Sequence, residues 1–292
     1  MRKSFFQLHL AIFIAGFTGI LGRLIELNEG WLVWYRLLIS AATLWILYFF
    51  LGRIQKLSLR DWLLITGVGC IAALHWVTFY GSIKYANVSV AVVCFSSIGF
   101  FTAILEPILL RKKIKLAECL LGILAIAGIA IIFHFDPQYK TGILIGILSA
   151  MLGSLFPIFN VQFVKRLPVE TVTLYELTGG FLCLSLLLPI YLQLSPAATW
   201  IPTWSDWAWL FVLSWICTVL AFHLSMNALK KISAFTTNLS YNLEPLYTII
   251  LAFIIFHENK ELSSGFFIGL SLIVLSVLLQ TLKVIRIKHS TT

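Results

Sequence analysis

The sequence has few charged residues for its length. Asp, Glu, Lys and Arg make up 11% of its 292 residues, whereas a typical soluble domain carries about a quarter. Apolar residues make up 60% of the chain, in recurring runs of about 20 residues, which is the length that crosses a hydrocarbon layer of roughly 30 Å. We therefore predict an all-α integral membrane protein with ten transmembrane helices. The predicted spans are 7–24, 31–51, 62–83, 88–110, 116–134, 141–161, 171–192, 206–228, 234–256 and 264–285.

The sequence also lacks common catalytic and nucleotide-binding motifs. It contains no H-E-x-x-H, G-x-S-x-G or G-x-x-x-x-G-K-[ST] pattern, the signatures of zinc peptidases, serine hydrolases and P-loop ATPases. The five cysteines form no C-x-x-C pair, so we interpret them as buried apolar residues and not as a disulfide framework or a zinc site. We predict no catalytic residues, no metal site, no cofactor and no self-contained ATP-driven pump.

The distribution of positive charge predicts a membrane topology. The net charge is +9, and 16 of the 21 Lys and Arg residues lie at the two termini and in the connections on the same side of the membrane. The connections on the other side hold four. The positive-inside rule places both termini in the cytoplasm. The basic residues are thus a topology signal and a contact for membrane lipids, and we predict no nucleic-acid partner.

The two halves of the chain resemble each other. Five spans are an odd number, so the second copy would enter the membrane from the opposite side. We predict two inverted five-helix repeats, residues 1–138 and 139–292. Inverted repeats build a site near the bilayer midplane that opens to either side, as in secondary transporters. The matching segments are Tyr35-Arg36-Leu37 with Tyr175-Glu176-Leu177, Asp61-Trp62 with Asp206-Trp207, and Phe101-Thr102 with Tyr247-Thr248.

The ninth predicted span has one polar face. An ionisable group at the centre of a bilayer costs about 2.5–3.5 kcal/mol on insertion scales, and Glu244 lies near the middle of this span. Tyr241 shares its face, flanked by Asn238 and Asn242. We predict that these four residues line a substrate site, the alternative being a structural hydrogen-bond network. Because burial disfavours a charged carboxyl group, Glu244 is also our candidate carrier of a coupling proton.

Arg36 and Glu176 occupy equivalent positions in the two halves, each about one helical turn inside its span. Inverted symmetry would place Arg36 toward the outside and Glu176 toward the inside. We predict that they serve as gates or as partners of substrate charge. The alternative is that each extends to its own interface or pairs locally, for example Arg36 with Glu26 or Glu29.

Polar and aromatic residues on other spans complete the predicted cavity. A single histidine on an apolar helix is more often a packing residue than a ligand, but several such side chains on repeat-related helices can form a pocket. The predicted contributors are His75, Trp76 and Tyr80 in the third span, Ser97 and Phe101 in the fourth, and Asn227 in the eighth.

Over its whole length the chain resembles the EamA-type permeases of the drug/metabolite transporter superfamily. Arg111-Lys112 departs from the pattern, since a Gly-Glu pair often ends the fourth span there. The resemblance implies a multi-pass permease of the bacterial inner membrane, often an exporter of amino acids or other small metabolites. It also implies a central cavity lined by helices one, three, four, six, eight and nine. The segments that carry the resemblance are Tyr35-Arg36-Leu37-Leu38, Ile83-Lys84-Tyr85, Ala228-Leu229-Lys230-Lys231-Ile232-Ser233-Ala234, Leu243-Glu244-Pro245-Leu246 and Phe256-His257-Glu258.

The sequence thus predicts a secondary transporter that exports a small metabolite such as an amino acid by alternating access, with protons as a candidate coupling ion. A flippase for lipids or lipid-linked substrates is the alternative within transport. It predicts a lateral opening with apolar walls. A non-transporting membrane scaffold or sensor is the alternative from another class, although it leaves the polar faces of several helices unexplained.

Overall fold

The computed structural model describes residues 2–114, 116–194, 199–241 and 243–290. In this part of the chain the backbone is helical and contains no β-strand. The α-helices are α1 (Arg2–Ala15), α2 (Thr18–Leu24), α3 (Glu29–Phe50), α4 (Leu59–Tyr85), α5 (Val88–Phe95), α6 (Ile98–Leu110), α7 (Leu116–Phe135), α8 (Lys140–Phe163), α9 (Val169–Leu194), α10 (Trp204–Ser214), α11 (Ala221–Leu229), α12 (Ala234–Tyr241), α13 (Glu244–Phe256) and α14 (Ser264–Ser290). A π-helix, Trp215–Leu220, joins α10 to α11, and short 3-10 helices cover Pro137–Tyr139 and Glu258–Lys260.

The described helices overlap the predicted spans, and several extend a few residues beyond them. They are not equally suited to cross a membrane. Seven segments are long and apolar enough by length and composition: Lys3–Leu24, Glu29–Phe50, Leu59–Tyr85, Val88–Leu110, Pro137–Phe163, Val169–Gln193 and Trp204–Leu229. Three further apolar helices are shorter: Cys119–His134, Glu244–Phe256 and Ser264–Ser276. The all-helical membrane class is confirmed, whereas the number of ten spans and their inverted arrangement remain predictions.

Each half contains one span that is interrupted between two helices, α5 and α6 in the first half and α12 and α13 in the second. Adding 146 to the bounds of α5 and α6 gives the bounds of α12 and α13. The helices α6 and α13 each end at a non-glycine residue in the left-handed conformation, Arg111 with φ of 52° and His257 with φ of 56°. A left-handed residue is a common helix terminator. These matching interruptions support the duplication that the sequence predicts.

Glycines allow α4 and α9 to pack with their backbones in contact. A Cβ atom built on Gly69 would collide with the carbonyl oxygen of Glu176, and one built on Gly180 would lie 2.8 Å from the carbonyl oxygen of Gly69. The same interface carries a disulfide between Cys70 and Cys183, whose Cα atoms are 5.6 Å apart. Our interpretation of all five cysteines as unpaired was therefore wrong for this pair, because two residues 113 positions apart show no pairing signal in the sequence.

A buried carboxylate connects α2, α5 and the end of α13. Glu258 is fully buried and accepts hydrogen bonds from the backbone N–H groups of Val88 (3.0 Å) and Ser89 (2.8 Å), the first residues of α5. It also accepts the Ser89 hydroxyl (2.5 Å) and forms an ion pair with Arg23. The guanidinium group of Arg23 lies 4.5 Å from the ring centroid of Phe256. This arrangement fixes the helices that surround the central cavity.

Candidate functional site

A central cavity of about 90 Å³ lies where the helices of both halves meet. Its walls come from α1 to α6, α8, the π-helix and α11 to α13. Six of the residues predicted for the site line it: Arg36, His75, Trp76, Asn238, Tyr241 and Glu244. The other lining residues are Ala15, Thr18, Phe79, Phe95, Ile98, Phe156, Pro157, Cys217, Ala221, Phe222, Ser225, Met226, Leu229 and Thr237.

Arg36 is buried in the cavity wall, where neutral side chains contact its guanidinium group. Its Nε atom donates to the Thr218 hydroxyl at 2.6 Å, and its Nη1 atom donates to the Tyr80 hydroxyl at 2.9 Å. Its guanidinium group lies 4.1 Å from the ring centroid of Trp76, which is a cation–π contact. Among the described residues no carboxylate forms an ion pair with Arg36. Within the described residues, the positive charge of Arg36 therefore has no carboxylate at ion-pair distance.

The π-helix at Trp215–Leu220 shapes this wall. Its wider turn lets the Thr218 hydroxyl donate to the carbonyl oxygen of Leu213 at 2.8 Å while it accepts the bond from Arg36. The Cys217 carbonyl oxygen is also directed toward Arg36, 3.5 Å from Nη2. Single π-helical turns inside α-helices are frequent at functional sites. Here the turn supplies two polar partners that a regular helix would not present together.

Glu244 provides a negative group in the same cavity. It is only 4% exposed, it is the first residue of α13, and Pro245 follows it. The N-terminus of a helix carries a partial positive charge that favours an anion. Within the part of the chain that the structure describes, the carboxyl group has no hydrogen bond or ion pair, including none to Arg36.

The polar residues of α12 contact other helices as well as the cavity. The Tyr241 hydroxyl lies 2.8 Å from the Ser225 hydroxyl on α11. The Asn238 amide donates to the Thr102 hydroxyl on α6 at 2.9 Å. These bonds connect the polar face of α12 to α6 and α11, while Asn238 and Tyr241 also line the cavity. Asn242, the remaining predicted residue of this face, lies outside the described residues.

Aromatic rings form the wall near His75. The imidazole stacks on Phe95 with centroids 5.3 Å apart and lies 5.9 Å from Phe156. Phe156 in turn stacks on Phe222 at 6.2 Å. The Nδ1 atom of His75 lies 2.9 Å from both the carbonyl and the hydroxyl oxygen of Ser149. His75 is therefore a hydrogen-bonded member of an aromatic wall.

Four other predicted residues do not line the cavity. Tyr80 is fully buried; its hydroxyl accepts a hydrogen bond from Arg36, and its ring packs against that of Phe79. Ser97 donates to the Cys94 carbonyl oxygen at 2.7 Å. Asn227 donates within its own helix to the His223 carbonyl oxygen at 2.9 Å. Phe101 packs against the ring of Phe100, with centroids 5.6 Å apart.

Glu176 also lies outside the cavity lining. It is completely buried on α9 and accepts a hydrogen bond from the Asn160 amide on α8 at 2.9 Å. The structure thus separates it from Arg36, its partner in the sequence comparison, which faces the cavity. Among the described residues no cluster of three or more His, Cys, Asp or Glu side chains could hold a metal ion.

Sequence reasoning missed the aromatic and small polar residues that close the cavity. Phe156 and Phe222 are apolar, and an apolar residue on a membrane helix is as consistent with lipid contact as with a cavity wall. Ser225 faces the site because Tyr241 holds its hydroxyl group. Its position on α11 carries no distinct signal, although its four-residue spacing from Ala221 and Leu229, which also line the cavity, follows one helix face.

The chain matches a transporter family model and is similar to bacterial proteins named as uncharacterized transporters. The model of the EamA-like transporter family matches residues 3–134 and 140–282. An uncharacterized transporter of Haemophilus influenzae is 22% identical over 277 residues, which cover 88% of this chain and 86% of that protein. The uncharacterized transporter YetK of Bacillus subtilis is 25% identical over 298 residues, which cover 96% and 87%.

A solved crystal structure has a similar fold. It aligns with a TM-score of 0.68 over 96% of this chain and 98% of that chain, at 17% sequence identity. At this level of identity the similarity concerns the fold alone. It supports the arrangement of helices around the cavity but not a particular cargo.

Proposed function

Because the chain belongs to the EamA-like transporter family, we propose that it is a secondary transporter of small zwitterionic metabolites such as amino acids. The protein is a multi-pass bacterial membrane transporter. The cargo, the direction of export and the mechanism are our proposal. They rest on the contents of the central cavity.

The observation that carries the proposal is the pair of unpartnered charges in one cavity. Arg36 and Glu244 both line the cavity and are both nearly completely buried, yet within the described residues they form no ion pair. Buried charges are costly unless they are paired. An amino acid supplies the missing groups, since its carboxylate fits Arg36 and its ammonium fits Glu244. Charge-assisted hydrogen bonds of this kind are stronger than neutral ones.

The remaining wall suits a small amphipathic molecule. The volume of about 90 Å³ is below the roughly 300–1,000 Å³ of pockets that enclose drug-sized ligands. Phe156, Phe222 and Trp76 give this space apolar and aromatic surfaces. These dimensions favour a single small metabolite over a lipid chain in this conformation.

The interrupted helices support alternating access as the mechanism. Discontinuous helices near the centre of transporters commonly direct their half-helix ends at substrate or coupling ions. Here α13 begins at Glu244, and its counterpart α6 begins at Ile98, both in the cavity wall. We propose ten spans in two inverted repeats, 1–138 and 139–292, with both termini in the cytoplasm. We also propose that a proton competes with substrate ammonium for Glu244.

A binding screen tests this proposal directly. The purified protein is heated in detergent with amino acids, nucleosides, sugars, organic acids or lipids, and the melting temperature is recorded. A ligand that binds only the folded state raises the apparent stability with concentration. We expect amino acids to raise it, and we expect Arg36→Lys and Glu244→Gln to reduce the shift.

Matched substitutions serve as controls. Arg53→Lys and Glu261→Gln make the same chemical changes at exposed positions and are expected to keep the ligand-induced shift. A shift with lipid alone would favour the flippase. A shift with amino acids that is undiminished in both cavity variants would contradict the assignment of the site.

A further inference from the structure

A second polar site lies in the protein outside the central cavity. It consists of Glu176 on α9 and Asn160 on α8, both with 0% exposure. The amide nitrogen Nδ2 of Asn160 donates to Oε1 of Glu176 at 2.9 Å. Neither side chain lines the cavity that contains Arg36 and Glu244.

Two oxygens of this pair lack a hydrogen-bond partner. Within the described residues, Oε2 of Glu176 and Oδ1 of Asn160 are both buried and form no hydrogen bond. An amide oxygen and an ionised carboxylate oxygen are both acceptors, so they cannot bond to each other. A buried polar group without a partner carries a full desolvation cost. The two unpartnered oxygen atoms therefore require a hydrogen-bond donor.

One proton supplies that donor. A carboxylic acid and a primary amide form two hydrogen bonds in a ring, with the amide N–H bonded to one acid oxygen and the acid O–H bonded to the amide oxygen. The first of these bonds is present between Asn160 and Glu176. The two atoms of the second are the two oxygens left without a partner. A proton on Oε2 of Glu176 would complete the ring.

No positive charge compensates an ionised Glu176. In the described part of the chain, burial and the Asn160 hydrogen bond are the influences on this carboxyl group, with no charged neighbour. The titratable groups on the packed helices α3, α4 and α11 and on α8 and α9 themselves are engaged or lie elsewhere. They are Tyr35 against Trp207, Arg36 with Thr218 and Tyr80, Tyr48 near Glu170, Asp61 with Arg166, His75 with Ser149, Lys84 with Ile25, Lys140 near Phe133, Glu170 with Arg53, Tyr175 with Gln55, Tyr191 with Glu29, His223 near Glu170 and Lys230, and the exposed Arg60 and Tyr85.

We infer that Glu176 and Asn160 form a proton-binding site separate from the substrate cavity, in which Glu176 is held as a neutral acid by the Asn160 amide. The backbone contact between Gly69 and the Glu176 carbonyl oxygen closes this region from the α4 side. The proton therefore exchanges only when the packing around α9 opens. If the protein is the transporter proposed above, Glu176 is a second site for the coupling proton in addition to Glu244, because its proton exchanges only when this packing opens.

Infrared spectroscopy of the purified protein tests the site without requiring transport. A protonated carboxyl group has a carbonyl stretch above the amide I band, and an ionised one does not. The measurement is made at neutral pH in Glu244→Gln, which removes the carboxyl group of the central cavity. We expect a protonated-acid band that is lost in Glu244→Gln/Glu176→Gln and shifted to higher frequency in Glu244→Gln/Asn160→Leu. No protonated-acid band, or one unaffected by both changes, would overturn the inference.

A stability measurement provides a second readout. If the native state holds a proton that the unfolded chain releases, stability falls as pH rises, because unfolding then releases a proton. We expect the melting temperature of the wild-type protein to fall from weakly acidic to alkaline pH more steeply than that of Glu176→Gln, whose neutral amide can form both bonds with Asn160. Equal pH dependence in the two proteins would contradict the site. A binding screen that finds no substrate would contradict the transport proposal alone.

Discussion

Removing the Glu258 carboxylate should cost more stability than removing any exposed acid of this protein. Glu258→Ala leaves the buried N–H groups of Val88 and Ser89 without their acceptor and removes the ion pair with Arg23. An unsatisfied buried donor costs about 1–3 kcal/mol, and breaking a buried ion pair costs about 3–5 kcal/mol. The side chain of Arg23 is 34% exposed, so water can solvate its charge in part once the ion pair is lost. We expect a loss of about 3–5 kcal/mol in the free energy of unfolding.

The assay is unfolding in detergent followed by tryptophan fluorescence, with Glu258→Gln and Glu261→Ala beside Glu258→Ala. The Gln variant keeps one acceptor oxygen and the packing volume, so its stability should lie between those of the wild type and Glu258→Ala. Glu261 is exposed, and its substitution should change stability by about 0.5 kcal/mol or less. If Glu258→Ala were as stable as Glu261→Ala, the reasoning that this carboxylate fixes the start of α5 would be refuted.

Three further substitutions test the helix packing and the cavity. Gly69→Ala places a Cβ atom on the Glu176 carbonyl oxygen and should cost about 1–3 kcal/mol in thermal unfolding, whereas Gly67→Ala, with open space around it, should leave stability unchanged. Arg36→Lys loses the planar donor set and should weaken amino-acid binding about 10- to 100-fold in calorimetry, as the loss of a bond worth roughly 1.5–3 kcal/mol implies. Phe222→Ala removes the ring stacked on Phe156 and should improve the binding of larger amino acids relative to smaller ones. Equal stability of the two glycine variants, unchanged affinity in Arg36→Lys or an unchanged size preference in Phe222→Ala would each contradict the corresponding contact.

The sequence was informative where the membrane imposes a strong constraint. An ionisable side chain in an apolar helix must face protein or water, and the structure places Arg36 and Glu244 on the cavity wall. The polar face of α12 was read from helical spacing in the same way, and Asn238 and Tyr241 lie on the cavity wall. Such inferences depend only on the local periodicity of one helix.

The remaining features depend on how helices meet, which one sequence does not specify. Glu176 was expected near a cavity mouth, but the structure pairs it with Asn160 on the preceding helix. The π-helix at Trp215–Leu220, whose Thr218 hydroxyl accepts a hydrogen bond from Arg36, is not marked by a sequence motif. The Cys70–Cys183 disulfide likewise depends on the contact between α4 and α9.

The sequence repeat allowed features of one half to be predicted from the other. Matching segments predicted that the two halves have the same order of helices. The helix pairs α5–α6 and α12–α13 have equal lengths and are interrupted at equivalent positions. The departure at Arg111-Lys112 also has a structural consequence. Lys112 pairs with Glu106 at 2.8 Å, whereas the equivalent position in the second half, Glu258, caps α5. The halves therefore share a backbone plan while their terminal contacts differ.

The most direct test of the central account is transport by the purified protein in liposomes. Radiolabelled amino acids are offered to vesicles loaded with the same unlabelled amino acid, and exchange is compared among the wild type, Arg36→Gln, Glu244→Gln and the exposed control Glu261→Gln. The account predicts exchange in the wild type and the control and its loss in both cavity variants. Exchange that persists at the wild-type rate in both cavity variants, or no exchange of any amino acid by the wild type, would contradict it.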